Sequence, residues 1–442
     1  MIVDLKPYLE YRESGLPWVG KVPMHWKSER AKWLFTKMDR PVRDDDEVVT
    51  CFRDGMVTLR KNRRLRGFTE ATFFFGYQGI RKGDLVIHGM DAFAGAIGVS
   101  DSDGKGTPVY NVCQPQDGVN AHYYAYLVRE MSQSQWILAL AKGIRERSTD
   151  FRYEMFGNQF VPLPALEEQE AIVRFLDHAN AKIDRYVGAK KKLIKLLNEQ
   201  KQAIIHRAVT RGLNPDVILK DSGIPWLGGI PEHWEVRRLK FLAHIKTGGK
   251  DTVDRVDDGS YPFYVRSQTV EHIDTFSFDG EAVLTAGDGA GVGKVFHYVN
   301  GKFEYHQRVY KFSNFRKIDG KFFFHYFKSN LRFEALDASA KSTVDSLRLP
   351  LLQNFPTVLP PTFEQAEIVE WIKAESIPVD TAITRLEREI KLLREYRIKL
   401  TADVVTGKLD VREAAAKLPT IGKTTEPDFQ ELDEEAELEE VE

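Results

Sequence analysis

The chain contains one 21-residue segment twice. Residues 14–34 read SGLPWVGKVPMHWKSERAKWL, and residues 222–242 read SGIPWLGGIPEHWEVRRLKFL. Eleven of the 21 positions are identical, including the rare residues Trp and Pro at matched spacing. A second pair of segments, LPALEEQEAIV at 163–173 and LPPTFEQAEIV at 359–369, recurs later in each copy. We therefore predict two copies of one structural unit, and any fold of this chain must accommodate that duplication.

Each LPxxxEQ element leads into a long helical pattern whose mostly apolar seam steps alternately by four and three positions. In the second copy this seam is Val379, Ile383, Leu386, Ile390, Leu393, Arg397, Leu400 and Val404. In the first copy it is Ile183, Val187, Lys190, Ile194, Leu197, Lys201, Ile204 and Ala208. Because two similar stripes in one chain are buried most simply against each other, we predict an antiparallel coiled coil about 45 Å long.

The segments between the repeated elements contain many short β-rich runs and fewer helical candidates. The β-rich runs are DLVIHG, AVLTA, KVFHYV and RVYKF, with aromatic runs at ATFFFGY and GKFFFHYF, and the helical candidates are AHYYAYLVREM and SQWILALAKGI. These inserts diverge almost completely between the copies, apart from a faint likeness between residues 83–91 and 280–288. We predict an α+β fold: two α/β domains of many strands, joined by the two long helices with pseudo-two-fold symmetry.

Charge divides unevenly along the chain. Residues 424–442 hold ten acidic residues and no Lys or Arg, and the rest of the chain carries 63 Lys and Arg against 55 Asp and Glu. Such a tail buries too little apolar surface to offset its chain entropy, so we predict that it is disordered. A solubilising role is favoured over that of a DNA-mimicking autoinhibitor.

Cysteine usage and hydropathy bound the setting of the protein. Only Cys51 and Cys113 are present, without CxxC or Cys/His spacing, which argues against a disulfide framework and a structural zinc site. We expect both thiols to be reduced and structural. The sequence has no apolar stretch long enough to span a bilayer and no secretory n-region or h-region, so we expect an intracellular, cytoplasmic protein.

Two motifs suggest catalysis or nucleotide binding and fail on detail. AGDGAGVGK at 286–294 departs from the phosphate-loop pattern at Asp288, where Gly is needed, and at Val295, where Ser or Thr is needed. A turn between strands is the favoured role. A paired catalytic role for His25 and His233 would require an acid or nucleophile at matched spacing, and none is evident, so packing is favoured. We predict no catalytic, metal-binding or cofactor-binding residue.

Clusters of basic residues remain as candidates for binding DNA, because Lys and Arg neutralise phosphates while Arg and Gln can also read base edges. The candidates of the first copy are Arg60, Lys61, Arg63, Arg64, Arg66, Arg145, Arg147 and Arg152. Those of the second copy are Lys246, Lys250, Arg255, Arg266, Gln268, Lys294, Arg308, Lys341 and Arg348. A solvated face is the commoner role for any one of them. Together, basic and unlike inserts on a repeated scaffold favour DNA recognition.

These motifs resemble a known family. The SGxPWxGxxPxHW opening, the LPxxxEQxxIV element and the stretch at 247–267, with TGG and DGxYPFYVRS, look like the specificity subunit of type I restriction-modification systems, over about residues 10–412. The resemblance implies two target recognition domains, each reading half of a split double-stranded DNA site, with the two helices as a spacer. It also implies two methyltransferase subunits that use S-adenosylmethionine, and motor-endonuclease subunits that use ATP and Mg.

On this resemblance, residues 1–160 and 214–356 are the two target recognition domains, 161–213 and 357–412 are the two spacer helices, and 413–442 form the acidic tail. We expect a non-catalytic subunit that binds a bipartite, asymmetric DNA site and positions partner enzymes there. One alternative is a self-contained duplicated enzyme with an unrecognised active site. Another is a helical assembly protein with no role on DNA.

Overall fold

The computed structural model describes four stretches of the chain, residues 5–63, 76–140, 150–339 and 346–419. The chain divides into two compact units. Unit 1 comprises Met1–Ala189 with Glu389–Glu442, and unit 2 comprises Lys190–Arg388. The boundary between the two units falls within both long helices. The domain boundaries predicted from the sequence instead make each long helix a separate segment. The predicted domain boundaries stay a prediction.

The first part of the chain is rich in short strands. They are β1 (Tyr11–Leu16), β2 (Gly20–Pro23), β3 (Lys27–Arg30), β4 (Phe35–Lys37), β5 (Val49–Cys51), β6 (Val57–Leu59), β7 (Gln78–Ile80), β8 (Leu85–His88), β9 (Ile97–Val99), β10 (Gly104–Gly106), β11 (Tyr110–Pro115) and β12 (Phe160–Leu163). The helices are α1 (Ala31–Leu34), α2 (Ala121–Gln133), α3 (Trp136–Leu140), α4 (Tyr153–Gly157) and the long α5 (Leu166–Arg211).

The second part repeats this alternation. Its strands are β13 (Leu219–Asp221), β14 (Gly229–Pro231), β15 (Glu235–Arg238), β16 (His244–Thr247), β17 (Tyr261–Tyr264), β18 (Val270–Ile273), β19 (Phe278–Ala286), β20 (Phe296–Tyr305), β21 (Val309–Ser313) and β22 (Pro356–Leu359). Its helices are α6 (Gly320–Ser339), α7 (Leu349–Asn354), the long α8 (Thr362–Val405) and α9 (Arg412–Ala416). The mixture of helices and strands agrees with the predicted α+β class.

The sequence repeat is also a structural repeat. The opening segment forms an antiparallel hairpin, β1 with β2 in unit 1 and β13 with β14 in unit 2. The next strand pairs with the strand of the LPxxxEQ element, so that Lys27 lies opposite Leu163 and Glu235 lies opposite Leu359. These strands, together with the first turns of α5 or α8, are called the frame below. Each frame has the same pairing register.

A buried glutamine connects the frame of unit 1 to the rest of that unit. Gln169, at the start of α5, has 0% of its surface exposed. Its Oε1 accepts the N–H of Asn120 at 2.8 Å, and its Nε2 donates to the carbonyl oxygens of Gly118 at 3.3 Å and Pro164 at 2.9 Å. Asn120 in turn caps α2. One amide therefore fixes the start of α5 against the start of α2.

The same connection recurs in unit 2. Gln365, also 0% exposed, accepts the N–H of Asp319 at 2.7 Å and donates to the carbonyl oxygen of Lys317 at 3.0 Å. Asp319 caps α6, because its Oδ1 accepts the N–H of Phe322 at 2.9 Å. The aromatic run at 320–327, which the sequence grouped with β-rich runs, is therefore helical. The local cap and burial against the sheet override its strand-like composition.

The inserts share a sheet although their sequences diverge. Unit 1 has a four-stranded sheet in the order β4-β11-β8-β9, and unit 2 has a six-stranded sheet in the order β16-β21-β19-β20-β17-β18. The first four strands of the larger sheet follow the same order as the smaller one, and neighbours are antiparallel in both. Unit 2 adds β17 and β18, whereas unit 1 adds the pairs β5-β6 and β7-β10. Inserts whose sequences diverge almost completely therefore share the order of four strands.

Several local predictions are confirmed. The four β-rich runs fall on β8, β19, β20 and β21, AHYYAYLVREM lies in α2, and the glycine run at 286–294 connects β19 to β20. Cys51 and Cys113 are buried free thiols, and burial raises the pKa of both.

None of the described helices combines the length and the apolar character that crossing a bilayer requires. The acidic tail at 424–442 lies outside the described residues.

The long helices contact each other within each unit. In unit 1, Arg397 of α8 forms an ion pair with Asp184 of α5. In unit 2, Lys201 of α5 forms an ion pair with Asp380 of α8, with Nζ 2.6 Å from Oδ1. All positions of the predicted seams are buried or half-buried. The apolar stripes therefore face protein, as the step pattern predicts.

Candidate nucleic-acid interface

Two of the predicted DNA-binding residues of unit 2 meet just beyond the end of β19. Asp288 accepts hydrogen bonds from Arg266 Nη1 at 3.2 Å and from Arg308 Nη1 at 2.7 Å. Both guanidinium groups are about half exposed. A guanidinium has several N–H donors in a planar fork, so bonding to one carboxylate oxygen orients it and leaves donors for a ligand. The carboxylate thus holds two arginines in place at an exposed strand end.

A buried histidine stabilises the loop that carries Arg308 through a hydrogen bond to its main chain. His306 Nδ1 accepts the N–H of Arg308 at 2.9 Å. Burial lowers the pKa of His306, against the opposing effect of the Asp251 carboxylate 3.7 Å away. Lys250, another predicted residue, lies beside this loop because its carbonyl oxygen accepts the N–H of Gln307 at 2.8 Å. The neutral imidazole acts as a hydrogen-bond acceptor that shapes the loop.

Unit 1 has a counterpart at the same strand end. Gly89 after β8 and Gly287 after β19 each donate an N–H to the neighbouring strand segment, at 2.9 Å and 2.7 Å. Asp288 directly follows Gly287, whereas Asp91 lies two residues after Gly89. Asp91 accepts a hydrogen bond from Arg53 Nη2 at 3.1 Å. The sequence prediction missed Arg53. The faint sequence likeness of these two strands was the signal that could have found it.

The remaining described candidates of unit 2 are spread over separate elements. They are Lys246, Arg255, Gln268, Lys294 and Arg348. Arg255 Nη1 lies 3.9 Å from Glu271 Oε2, and Lys246 lies opposite Lys311 across the β16-β21 pair. Lys311 is buried, and its pKa is lowered to about 8 by burial and, secondly, by Lys246. Apart from Arg266 and Arg308 at Asp288, no hydrogen bond or ion pair joins two of these candidates within the described residues of unit 2.

Each candidate of unit 1 that the structure describes contacts a hydroxyl or carboxylate group of the same unit. The pairs are Arg60 with Thr50, Lys61 with Glu47, Arg63 with Asp54, and Arg152 with Asp150. The ion pairs of Lys61 and Arg152 are exposed, and exposed pairs contribute little to stability, so these two cations can exchange partners. The other candidates, Arg64, Arg66, Arg145, Arg147 and Lys341, lie outside the described residues. For all seventeen residues, a role in binding DNA stays a prediction.

The repeated histidines have acidic partners that the sequence reasoning did not find. His25 Nε2 lies 2.9 Å from Glu168 Oε2, and His233 Nε2 lies 2.9 Å from Glu364 Oε1. Each glutamate belongs to the LPxxxEQ element, 143 or 131 residues along the chain from its histidine, so the sequence around the histidines does not reveal it. Both imidazoles are about half exposed. The pair connects the two halves of each frame.

The second oxygen of each carboxylate has a different partner in the two units. In unit 2, Trp234 Nε1 donates to Glu364 Oε2 at 2.6 Å. In unit 1, the hydroxyl of Tyr8 donates to Glu168 Oε1 at 2.7 Å, and Trp26 Nε1 has no hydrogen-bond partner among the described groups. The frames therefore match in geometry and differ in how this carboxylate is satisfied.

These residues offer cationic hydrogen-bond donors to an anionic ligand. Within the described residues, no group of three or more His, Cys, Asp and Glu lies together in a way that could hold a metal ion. What the surface does offer is guanidinium groups oriented by single carboxylates. Such groups suit phosphate oxygens and the acceptor edge of guanine.

Comparisons with known proteins bear on the family. A family model described as the type I restriction modification DNA specificity domain matches residues 231–392. The type I restriction enzyme EcoDI specificity subunit of Escherichia coli is 28% identical over 182 residues, which are 41% of this chain and 40% of that protein. The MjaVIII specificity subunit of Methanocaldococcus jannaschii is 25% identical over 287 residues, 59% of this chain and 64% of that protein. The chain thus spans less than two thirds of either relative.

A solved structure shares the fold. It comes from work on complex assembly and conformational transition of the type I R-M system, and it aligns with a TM-score of 0.64 over 88% of this chain and 99% of that chain. Sequence identity is 16%, so this likeness shows the fold alone. The family match, the named relatives and the repeated motifs agree with one another. Residues 231–392 match the specificity-domain family, and the chain is similar to specificity subunits of type I restriction enzymes.

Proposed function

We propose that this chain recognises a bipartite, asymmetric sequence in double-stranded DNA, with one half-site read by each unit. One observation carries the proposal. Each unit repeats the same frame, with the same His–Glu pair and the same buried glutamine, around a sheet whose added strands differ. Equal frames with unequal additions suit two readers of unlike sequences. The chain itself supplies recognition and no catalysis.

The arginines at the strand ends support this reading. Arg266 and Arg308 share Asp288 in unit 2, and Arg53 contacts Asp91 in unit 1. A carboxylate that orients a guanidinium reduces the entropy lost when the same group contacts a base or a phosphate. Replacing a base-reading arginine should relax specificity at one position of the site, whereas replacing a phosphate contact should weaken binding to all sequences.

The long helices would serve as a spacer between the half-sites. We infer that they pair antiparallel as a coiled coil with pseudo-two-fold symmetry. The ion pairs support this, because an early residue of α5 contacts a late residue of α8 in unit 1, and the reverse holds in unit 2. The seam residues that form these pairs, Arg397 and Lys201, occupy equivalent positions in the two helices.

The partners would be two methyltransferase subunits and motor-endonuclease subunits. S-adenosylmethionine, ATP and Mg would be used by those subunits, and the complex would act in the cytoplasm. Just after β3 and just after β15, each unit offers an exposed aromatic ring beside a lysine to a partner. Trp33 is 65% exposed beside Lys32, and Phe241 is 64% exposed beside Lys240, with lysine Nζ 5.5 Å and 5.2 Å from the ring centroids. Two like surfaces suit two copies of one partner.

The proposal is tested by reconstitution. The purified chain alone should transfer no methyl groups and cleave no DNA. Mixed with the methyltransferase subunit, it should confer methylation at one interrupted sequence, found by mapping methylated adenines in DNA treated with the mixture. Catalysis by the lone chain would contradict the proposal and favour a self-contained enzyme. Methylation without sequence preference would contradict recognition.

A further inference from the structure

A groove of about 680 Å³ lies in unit 2 between the second half of α5, helix α6 and the turn from β19 to β20. Four cationic side chains from these three elements line it: Lys195 of α5, Lys328 and Arg332 of α6, and Lys294 of the turn. Only Lys294 was predicted from the sequence. The others lie on two separate helices, where isolated basic residues look like an ordinary solvated surface.

These four cations are not neutralised by neighbouring acids. In the part of unit 2 that the structure describes, none of the four forms an ion pair with a carboxylate, whereas Lys201 and both arginines at Asp288 do. One acidic residue, Glu199, lines the same groove. Gathering like charges in a groove costs free energy in the folded chain. An anionic ligand would offset that cost.

Neighbouring titratable groups respond to this charge. The pKa of His325 is lowered to about 4, first by burial and then by Lys328 and Lys201. The pKa of His206, which lines the groove, is lowered first by burial, and Arg332 and Arg211 lower it further. Both imidazoles are therefore neutral beside the groove, and the positive charge there comes from the lysines and the arginine.

The groove also contains an unmatched polar atom. Ser329 of α6 lines the groove and is 7% exposed, and its Oγ has no hydrogen-bond partner among the described groups. Buried hydroxyls in folded proteins are nearly always paired with protein or water. An oxygen-rich ligand in the groove could supply that partner after a small rotation of the side chain.

We propose that this groove binds the phosphate backbone of duplex DNA, without reading its sequence. The inference rests on the proposed function and deepens it, because it assigns phosphate contacts to helices α5 and α6 rather than to the strand ends. The groove is open at the surface and its cations come from three elements, which suits an extended polyanion. Lys195, Lys328 and Lys294 contribute charge, and Arg332 can bond two phosphate oxygens at once.

The test uses the full chain and a fluorescent duplex of arbitrary sequence, with binding followed by anisotropy over a series of KCl concentrations. Lys195→Gln, Lys328→Gln and Arg332→Gln are made singly and together. Each should make the slope of log K against log salt less steep by about 0.9, and the triple variant by about 3. The triple variant should weaken binding of the duplex at least about tenfold, and by a similar factor for the target sequence.

The matched control is Lys391→Gln. Lys391 occupies the position of Lys195 in the other copy of the helix, but its Nζ lies 4.0 Å from Glu395 on the same helix. We expect it to leave the salt slope unchanged. Glutamine keeps most of the side-chain stem, and thermal unfolding of each variant checks that the fold is intact. Charge reversal by Lys294→Glu provides a second, independent variant with the same expected direction.

The possible outcomes distinguish a failure of the groove proposal from a failure of the proposed function. A triple variant with wild-type affinity and salt slope would overturn the groove proposal, and so would a loss of discrimination with an unchanged slope. Either result leaves the proposed function standing if the wild-type chain still confers site-specific methylation. A wild-type chain that binds no duplex and confers no methylation would instead overturn the proposed function.

Discussion

The two units share one frame and differ in what the frame holds. In both, a histidine and a glutamate connect the opening segment to the long helix, and a buried glutamine connects that helix to the capped helix of the insert. The sheets agree in their first four strands and then diverge. The common parts set the geometry, and we expect a difference in recognition to come from the added strands, the loops and the unlike side chains on the shared strands.

The largest expected effect on stability comes from removing the glutamine amide from each frame. Gln169→Leu and Gln365→Leu should each destabilise the protein by about 2–4 kcal/mol, because backbone groups would be left buried without partners. Urea unfolding of each variant measures the loss. Gln200→Leu, on an exposed position of α5, is the control and should change stability little. A large cost in one unit and none in the other would show that the frames are not equivalent.

A second test uses the different hydrogen-bond partners of the repeated glutamate in the two frames. Trp234→Phe removes a hydrogen bond to Glu364, whereas Trp26→Phe removes none that the described groups show. Both side chains are 1% exposed, so the loss of packing should be similar. We expect Trp234→Phe to cost about 1–2 kcal/mol more than Trp26→Phe in urea unfolding. Equal costs would mean that this hydrogen bond contributes nothing to stability.

Acid titration should distinguish the units through α2 and α6. Glu130 of α2 and Ser329 of α6 occupy the same position counted from their caps. Burial raises the pKa of Glu130 from 4.5 to about 7. The folded state therefore holds this proton more tightly, and the stability it contributes below pH 4.5 is lost as pH rises through 7.

Glu130→Gln should accordingly raise the melting temperature by a few degrees at pH 8 and change it little at pH 4.5. Calorimetric melting curves at the two pH values measure the difference. Ser329→Ala, at the matching position of unit 2, should show no dependence on pH. A Glu130→Gln effect that is the same at both pH values would mean that the carboxyl titrates normally in the fold.

The smallest expected effect concerns the ion pairs between the long helices. Lys201→Ala and Arg397→Ala should each cost about 0.3–1 kcal/mol, because the partner carboxylates Asp380 and Asp184 are largely exposed. Unfolding in low and high salt measures the two variants side by side. Exchanging the charges, as Lys201→Asp with Asp380→Lys, should recover most of the loss. A much larger cost for one pair would break the equivalence of the two seams.

The sequence predicted the parts of the fold that depend on pattern. The step pattern of the helices and the alternation in β8 and β19 come from burial, which any apolar residue of suitable size can satisfy. Because many apolar residues satisfy burial equally well, the sequence did not reveal that the two sheets share an order of strands. The two sheets share an order of strands without sharing residues, because packing requires apolar character and volume rather than identity.

The candidate site was less predictable because its contacts cross the chain. Arg266 and Arg308 were identified as basic residues, but their common partner Asp288 could not be inferred from spacing. The groove cations Lys195 and Arg332 are brought together only by the packing of α5 against the insert. Composition indicates that cations are present, and the fold decides which of them act together.

The buried glutamines have one further consequence. The hydrogen bonds by which Gln169 and Gln365 contact their inserts go to main-chain atoms, the N–H of Asn120 or Asp319 and the carbonyl oxygen of Gly118 or Lys317. Main-chain atoms are the same whatever side chains surround them. The joint therefore places almost no demand on the sequence of the insert beyond a capped helix start, and foreign inserts with that local geometry can be exchanged between frames without redesigning the joint.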